Sequence, residues 1–182
     1  IHHSSEVEAL AASVNDTDGV VLVPAFAGLG APYWLPHVRG SIQGLTRGST
    51  VAHIARAALE SIALQSTVLL RAMQRDAQQI NGLQVSALRV DGGACANNLL
   101  MQMQADFMGL PVLRPQTVET TALGAALLAG LGQGVFRSPG ELRARLTIER
   151  VFEPQCSRDQ AEAKMAAWET AVRCLRAGSA QT

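Results

Sequence analysis

The sequence has no excess of charge of either sign. Lysine plus arginine number 15, aspartate plus glutamate 15, and the basic residues are scattered along the 182-residue chain. A neutral chain without a basic patch presents no electrostatic footprint for nucleic acid or an anionic membrane. Long apolar runs are missing too. None approaches the ~20 residues that a bilayer-spanning helix needs, and no signal peptide is visible. Cysteine is scarce, with only Cys95, Cys156 and Cys174. An odd number without a CxxC pair reads as reduced cytosolic thiols, not as a disulfide framework or a zinc site. Neither GxGxxG nor GxxxxGKS/T occurs, so the dinucleotide fingerprint and the P-loop are both lacking. No Ser-His-Asp arrangement or metal-ligand cluster can be assembled. His37 has no acidic or cysteine partner nearby, and His53, close to a helix start, reads as a structural histidine.

What is present is an ordinary globular balance, 48% apolar and 16% charged residues. The length allows one domain with a real core and a small extension. The chain opens on Ile1-His2-His3-Ser4-Ser5, with no methionine and no leader character. That start reads as a cut inside a longer protein.

Hydrophobic spacing predicts a helix over 4–14, with Val7, Leu10, Ala11 and Val14 on one face. After a turn at 15–19, the apolar run Val20 to Val23 reads as a buried strand. A Gly- and Pro-rich loop covers 28–36, and a short strand follows at 40–45. Thr50 is the expected N-cap of the longest helix, whose stripe is Ile54, Ala58, Ile62, Leu69 and Met73. That helix ends before Asn81-Gly82. Strands are expected at 87–90 and 111–113, with a helix over 97–108 between them. Thr120 or Thr121 caps the next helix, small and apolar through Ala129. Ser138-Pro139-Gly140-Glu141 and Ser157 with Gln160 have capping-box spacing. The second box opens a final helix with Ala161, Met165, Trp168, Val172 and Leu175 on one face. Alternating strands and helices predict an α/β layer domain with a largely parallel sheet core.

The strongest local signal for chemistry is Asp91-Gly92-Gly93-Ala94-Cys95-Ala96-Asn97-Asn98. A strand delivers the chain to two glycines and a helix begins just after. Glycine lets backbone approach a ligand, and a helix N-terminus with free N–H groups favours phosphate. An asparagine one turn in can hydrogen-bond a base or sugar. The residues alone leave open a strand-to-helix turn with no ligand. Gly28 to Trp34 is glycine-rich as well, but with Tyr33 and Trp34 inside it a rigid packed loop is the default reading. No credible general base emerges, so any catalytic group is expected outside this sequence.

Several runs carry a resemblance. Val23 to Trp34 is similar to a PAF-x-GLGAPYW segment, and Gly40-Ser41-Ile42-Gln43-Gly44-Leu45 with Arg47-Gly48, His53-Ile54 and Ala57-Ala58-Leu59-Glu60 to a second family pattern. Val90 to Asn98 resembles VDGGAxANN, and Thr121 to Ala126 the start of a TALGAA helix. On these residues, from about Gly19 to Trp168, the chain resembles the glycerol kinases of the FGGY family of carbohydrate kinases. GLGAPYW is specific to glycerol kinases and near relatives, whereas the Asp-Gly-Gly turn is shared more widely. Leu35 stands where an acidic residue is often found.

The resemblance implies an α/β, ribonuclease-H-like domain of the actin-type ATPase fold, a mixed sheet flanked by helices. It divides the chain into 1–18, the tail of a preceding domain or a linker helix; 19–155, the C-terminal nucleotide-binding domain; and 156–182, a helix packed on it. It implies an ATP- and Mg2+-dependent kinase that transfers the γ-phosphoryl group to glycerol, giving sn-glycerol 3-phosphate. The implied protein is cytoplasmic and homo-oligomeric, with no nucleic-acid or membrane partner. The family's catalytic aspartate, glycerol-binding residues and phosphate loops lie upstream. No catalytic residue and no metal ligand is therefore expected here, and Gly93 and Asn97 are the nucleotide contacts the resemblance assigns to this chain. Two other readings stay open: another FGGY sugar or polyol kinase, and a non-catalytic nucleotide-binding module of the actin-like superfamily.

Overall fold

The computed structural model describes residues 1 and 3–179. Its longest element, α2 (Val51–Asn81), shows how local signals set boundaries. Thr50 is extended, and its backbone N–H donates to His53 Nδ1 at 3.0 Å. His53 is thus a capping histidine. At the other end Gly82 takes φ 68°, and its N–H closes on Gln78 O at 3.2 Å. Both termini are therefore satisfied by their own sequence.

The expected stripe on α2 is not the face that is buried. Ile62, Leu69 and Met73 are exposed, while Ala52, Ala55, Leu59, Ala63 and Leu70 are buried. Alanines on the inner face let neighbouring helices approach closely, and Leu59, Leu64 and Val68 fill the space between them. Packed there are α1 (Glu6–Ala12) and α3 (Asn98–Met108). Ala11 of α1 is fully buried. Arg56 Nη1 donates to the last carbonyls of the α1 region, Val14 O at 2.9 Å and Ala11 O at 3.3 Å.

Strands β1 (Val21–Val23) and β2 (Ser41–Gln43) form an antiparallel pair. β3 (Leu88–Arg89), β4 (Val112–Pro115) and β5 (Ile148–Phe152) form a second sheet in that order. β3 and β4 are parallel, joined by α3, but β4 and β5 are antiparallel. The sheet is therefore mixed, not largely parallel. Two helices, α4 (Thr120–Gly132) and α5 (Pro139–Ala144), separate β4 from β5. β5 starts beside the end of β4, with Pro115 paired to Ile148 and Val112 to Phe152, so it runs backward.

The final helix, α6 (Arg158–Ser179), starts on a complete capping box: Gln160 N–H donates to Ser157 Oγ, and Ser157 N–H to Gln160 Oε1. Ala161, Met165, Trp168 and Val172 on its inner face join the core shared by α2, α3 and the strands. α4 is different. Neither Thr120 nor Thr121 caps it; Glu119 is the N-cap residue, without a side-chain bond. Although nearly all apolar or glycine, it has no buried residue, and Leu128 is 65% exposed. Among the described residues no helix is long and apolar enough to cross a membrane.

Candidate functional site

The site grows from the end of β3. Gly92 has φ 79° and ψ 171°, a region that is essentially glycine's alone. Its N–H donates to Val118 O at 2.9 Å, and the Asp91 carboxylate accepts a hydrogen bond from the Thr120 hydroxyl. This bond explains why Thr120 is not free to cap α4. The backbone then makes one 3-10 turn, Gly93–Ala96, before α3 begins.

Asn97 sits at the N-cap of α3, not one turn in. Its Oδ1 accepts from Leu100 N–H at 2.9 Å. Glu8 Oε1, reaching over from α1, accepts from Leu99 N–H at 3.3 Å. Two of the N–H groups that the sequence left free for phosphate are thus held by side chains, one of them anionic. A carboxylate at this helix start opposes a phosphate there.

Gly93 and Asn97 do come together, on one side of a groove of about 560 Å³. Ala94 and Ala96 complete that side, and Val7, Ala58, Leu59 and Ile62 from α1 and α2 form the opposite wall. Gly93 has ordinary backbone angles, and a Cβ placed on it would meet nothing within 4 Å. The space in front of Gly93 is open. Glu8 is the titratable residue among the described lining residues. An apolar groove with backbone on one side suits a planar ring and a sugar better than a polyphosphate.

Beneath the turn lies Arg114 of β4, a residue that sequence reasoning passed over. It is 8% exposed, and its Nη1 donates to Cys95 O at 2.9 Å and Asn98 Oδ1 at 3.1 Å. Glu149 of β5 accepts from Nε at 2.7 Å and Nη2 at 3.3 Å. This bond from Arg114 holds the Glu149 carboxyl below its usual range. The one available signal was a charged residue inside the short apolar run Val112-Leu113-Arg114-Pro115.

Cys95 is buried inside the same turn, and burial pushes its thiol up, against a smaller opposing pull from Arg114. Burial, then Asp106, raises Cys156 as well, whereas Cys174 is exposed. A raised thiol carries little thiolate near neutral pH and reacts slowly. Titration with a thiol reagent at pH 8 is expected to show Cys174 reacting fast, with Cys95 and Cys156 released by denaturant. Three fast thiols in the native protein would contradict the packing of the turn.

The loop before β2 is packed only in part: Leu29 is buried, but Trp34 is 74% exposed. Leu29 and Leu35 exchange backbone hydrogen bonds at 2.9 and 2.8 Å. A Cβ on Gly28 would lie 2.7 Å from Pro36 Cα, so only glycine fits. Tyr33 packs against Trp168, and its hydroxyl is pushed up to about 12, first by burial and then by Glu169. Among the described residues no three His, Cys, Asp or Glu side chains converge to hold a metal ion.

Residues 2–132 match the C-terminal domain of the FGGY family of carbohydrate kinases. The chain belongs to this family. It is 66% identical over 172 residues to a glycerol kinase of Acidovorax sp. (strain JS42), covering 94% of this chain and 34% of that protein. The chain therefore spans about a third of the length of the curated relatives it matches. Its structure resembles a glycerol kinase of Plasmodium falciparum solved with ADP, with TM-score 0.86 and 32% identity, covering 96% of this chain and 34% of that one. A ligand-bound xylulose kinase of Lactobacillus acidophilus shares the fold at TM-score 0.76 and 20% identity, over 95% of this chain and 34% of that one. These FGGY kinases have the actin-type ATPase fold, so the expected α/β, ribonuclease-H-like class holds, with its mixed sheet flanked by helices.

Proposed function

We propose that this chain is the nucleotide-holding C-terminal part of a kinase that transfers the γ-phosphoryl group of ATP to glycerol, giving sn-glycerol 3-phosphate. The observation that carries the reading is the open turn at Gly93 beside an apolar groove, in a chain so close in sequence to glycerol kinases. Gly93 lets the nucleotide lie against backbone, and Asn97 offers its amide from the N-cap. Because its Oδ1 is held by Leu100 N–H, Asn97 would use its Nδ2 donors toward the nucleotide. The groove takes the nucleoside; the phosphates extend beyond it, away from Glu8.

Phosphoryl transfer works by positioning and charge stabilisation, with a carboxylate accepting the hydroxyl proton. The groove holds no carboxylate suited to that, since Glu8 is engaged by α3. In this reading Mg2+ arrives with ATP, held chiefly by the phosphates and by water. The same reading includes a homo-oligomeric, cytoplasmic enzyme without nucleic-acid or membrane partners. Zero net charge supports the former of those two exclusions.

Two assays test this. The purified 182-residue chain with ATP, magnesium and glycerol is expected to show no turnover. The full-length protein, given a panel of glycerol, xylulose and gluconate, is expected to prefer glycerol. Turnover by the isolated chain near the full-length rate, or a preference for either sugar, would overturn the reading.

A further inference from the structure

We infer that Arg114 is the positioning residue of the nucleotide turn: its grip on the carbonyls of Cys95 and Ala96 and on Asn98 fixes how Gly93, Ala96 and Asn97 face the groove. The inference rests on the reading that this turn meets the nucleotide.

The turn is tied at its entrance by Val118 O on the Gly92 N–H and at its exit by the Asn97 cap, but between them its own bonds are few. Four residues make a 3-10 turn closed by Cys95 N–H to Gly92 O at 3.1 Å and Asn97 N–H to Ala94 O at 3.2 Å. Such short turns have poor hydrogen-bond geometry. Gly93, without a side chain, adds freedom just inside the entrance. From below, Arg114 Nη1 reaches Cys95 O, Asn98 Oδ1 and, at 3.4 Å, Ala96 O. A peptide unit is planar, so holding the Cys95 and Ala96 carbonyls also sets the N–H directions of Ala96 and Asn97. Both residues line the groove.

The guanidinium is itself fixed on every side. Glu149 takes Nε and Nη2 as a fork, and the Phe152 ring lies 5.2 Å away. Arg150 lies 4.5 Å from the same ring and donates to Asn98 Oδ1 at 3.2 Å, so Asn98 is held twice. β4 and β5 thus brace a turn that neither strand contains. Lysine cannot replace this arrangement. It presents a point charge where the site uses a planar fork bonding in two directions at once.

The test uses the full-length kinase with R114K, E149Q and G93V, measuring KM for ATP and for glycerol, kcat, and the melting curve. Removing one or two hydrogen bonds from the brace is expected to raise KM for ATP about 3- to 10-fold in R114K. KM for glycerol and kcat should stay within about twofold. E149Q should shift KM for ATP the same way by less, because Glu149 is 48% exposed and its loss leaves the core intact. If R114K fails to fold, E149Q decides. G93V separates the two ideas. A raised KM for ATP in G93V with no change in folded R114K and E149Q would overturn the brace and leave the nucleotide reading standing. An unchanged KM for ATP in G93V would overturn both. Equal losses for ATP and glycerol in R114K would show a purely structural residue and also overturn the inference.

Discussion

Trp168→Ala is expected to lose about 3–5 kcal/mol of folding stability, the range for emptying a large aromatic site in a packed core. Trp168 is 1% exposed and sits where α6 crosses β1. Its indole Nε1 donates to Leu22 O at 3.1 Å, and Tyr33 packs on it with ring centroids 5.9 Å apart. Alanine would leave a cavity beside Tyr33 in the core and would strip the Leu22 carbonyl of its donor. Small domains have only about 5–15 kcal/mol in total, so this change alone removes a large share. Urea unfolding of the purified chain, followed by circular dichroism, measures it. A loss below about 1 kcal/mol would mean that α6 is loosely docked. Truncation after Gln155 should be worse, since it also removes Ala161, Met165, Ala171 and Val172 from the core.

The second large effect is on ligand binding. Gly93→Val should fold, because a Cβ at this position meets nothing within 4 Å and φ lies outside the left-handed region. In the full-length protein its methyl groups would stand where the nucleotide lies. Overlap of that size costs about 1–3 kcal/mol in a packed setting, or roughly 5- to 150-fold in affinity. KM for ATP should rise by that factor while KM for glycerol holds. Asn97→Ala is the poorer probe. It removes the N-cap of α3, at a cost of about 1 kcal/mol in stability, so a weaker ATP interaction could arise from a frayed helix. An unchanged KM for ATP in folded Gly93→Val would show that the nucleotide does not touch this turn.

Sequence reasoning reaches the α6 face, the capping box of Ser157 with Gln160 and the Asp-Gly-Gly turn because each is written in adjacent residues; at Ser138 only half of a box forms, since Glu141 accepts from the Arg137 N–H instead. Helix α2 was located correctly, but its inner face was misjudged. The pattern picks the row Ile62, Leu69 and Met73, whereas the buried row carries Leu59, Leu64, Val68 and Leu70 among the small residues Ala52, Ala55 and Ala63. Alternation of strands and helices suggests a largely parallel sheet, whereas β5 pairs antiparallel with β4, because a local pattern carries no information on strand direction. Thr120 was assigned to a cap because its contact with Asp91 spans 29 residues. Arg114 and Glu8 were missed for the same reason. Each acts on the turn or on α3 from an element distant in sequence. The openness of Gly93 is also a property of space that no spacing rule reports.

Helix α4, apolar and yet without a buried residue, has a kinetic consequence. Its amides are protected by little beyond its own hydrogen bonds. It can open and close as a separate unit while α2, α3 and α6 stay folded, because nothing in the shared core has to move. Amide protons of α4 would then exchange with solvent through local opening, and those of the core helices through global unfolding. The two groups would differ by orders of magnitude in rate and respond differently to denaturant. The chain thus contains two stabilities, and a single melting temperature reports only the larger.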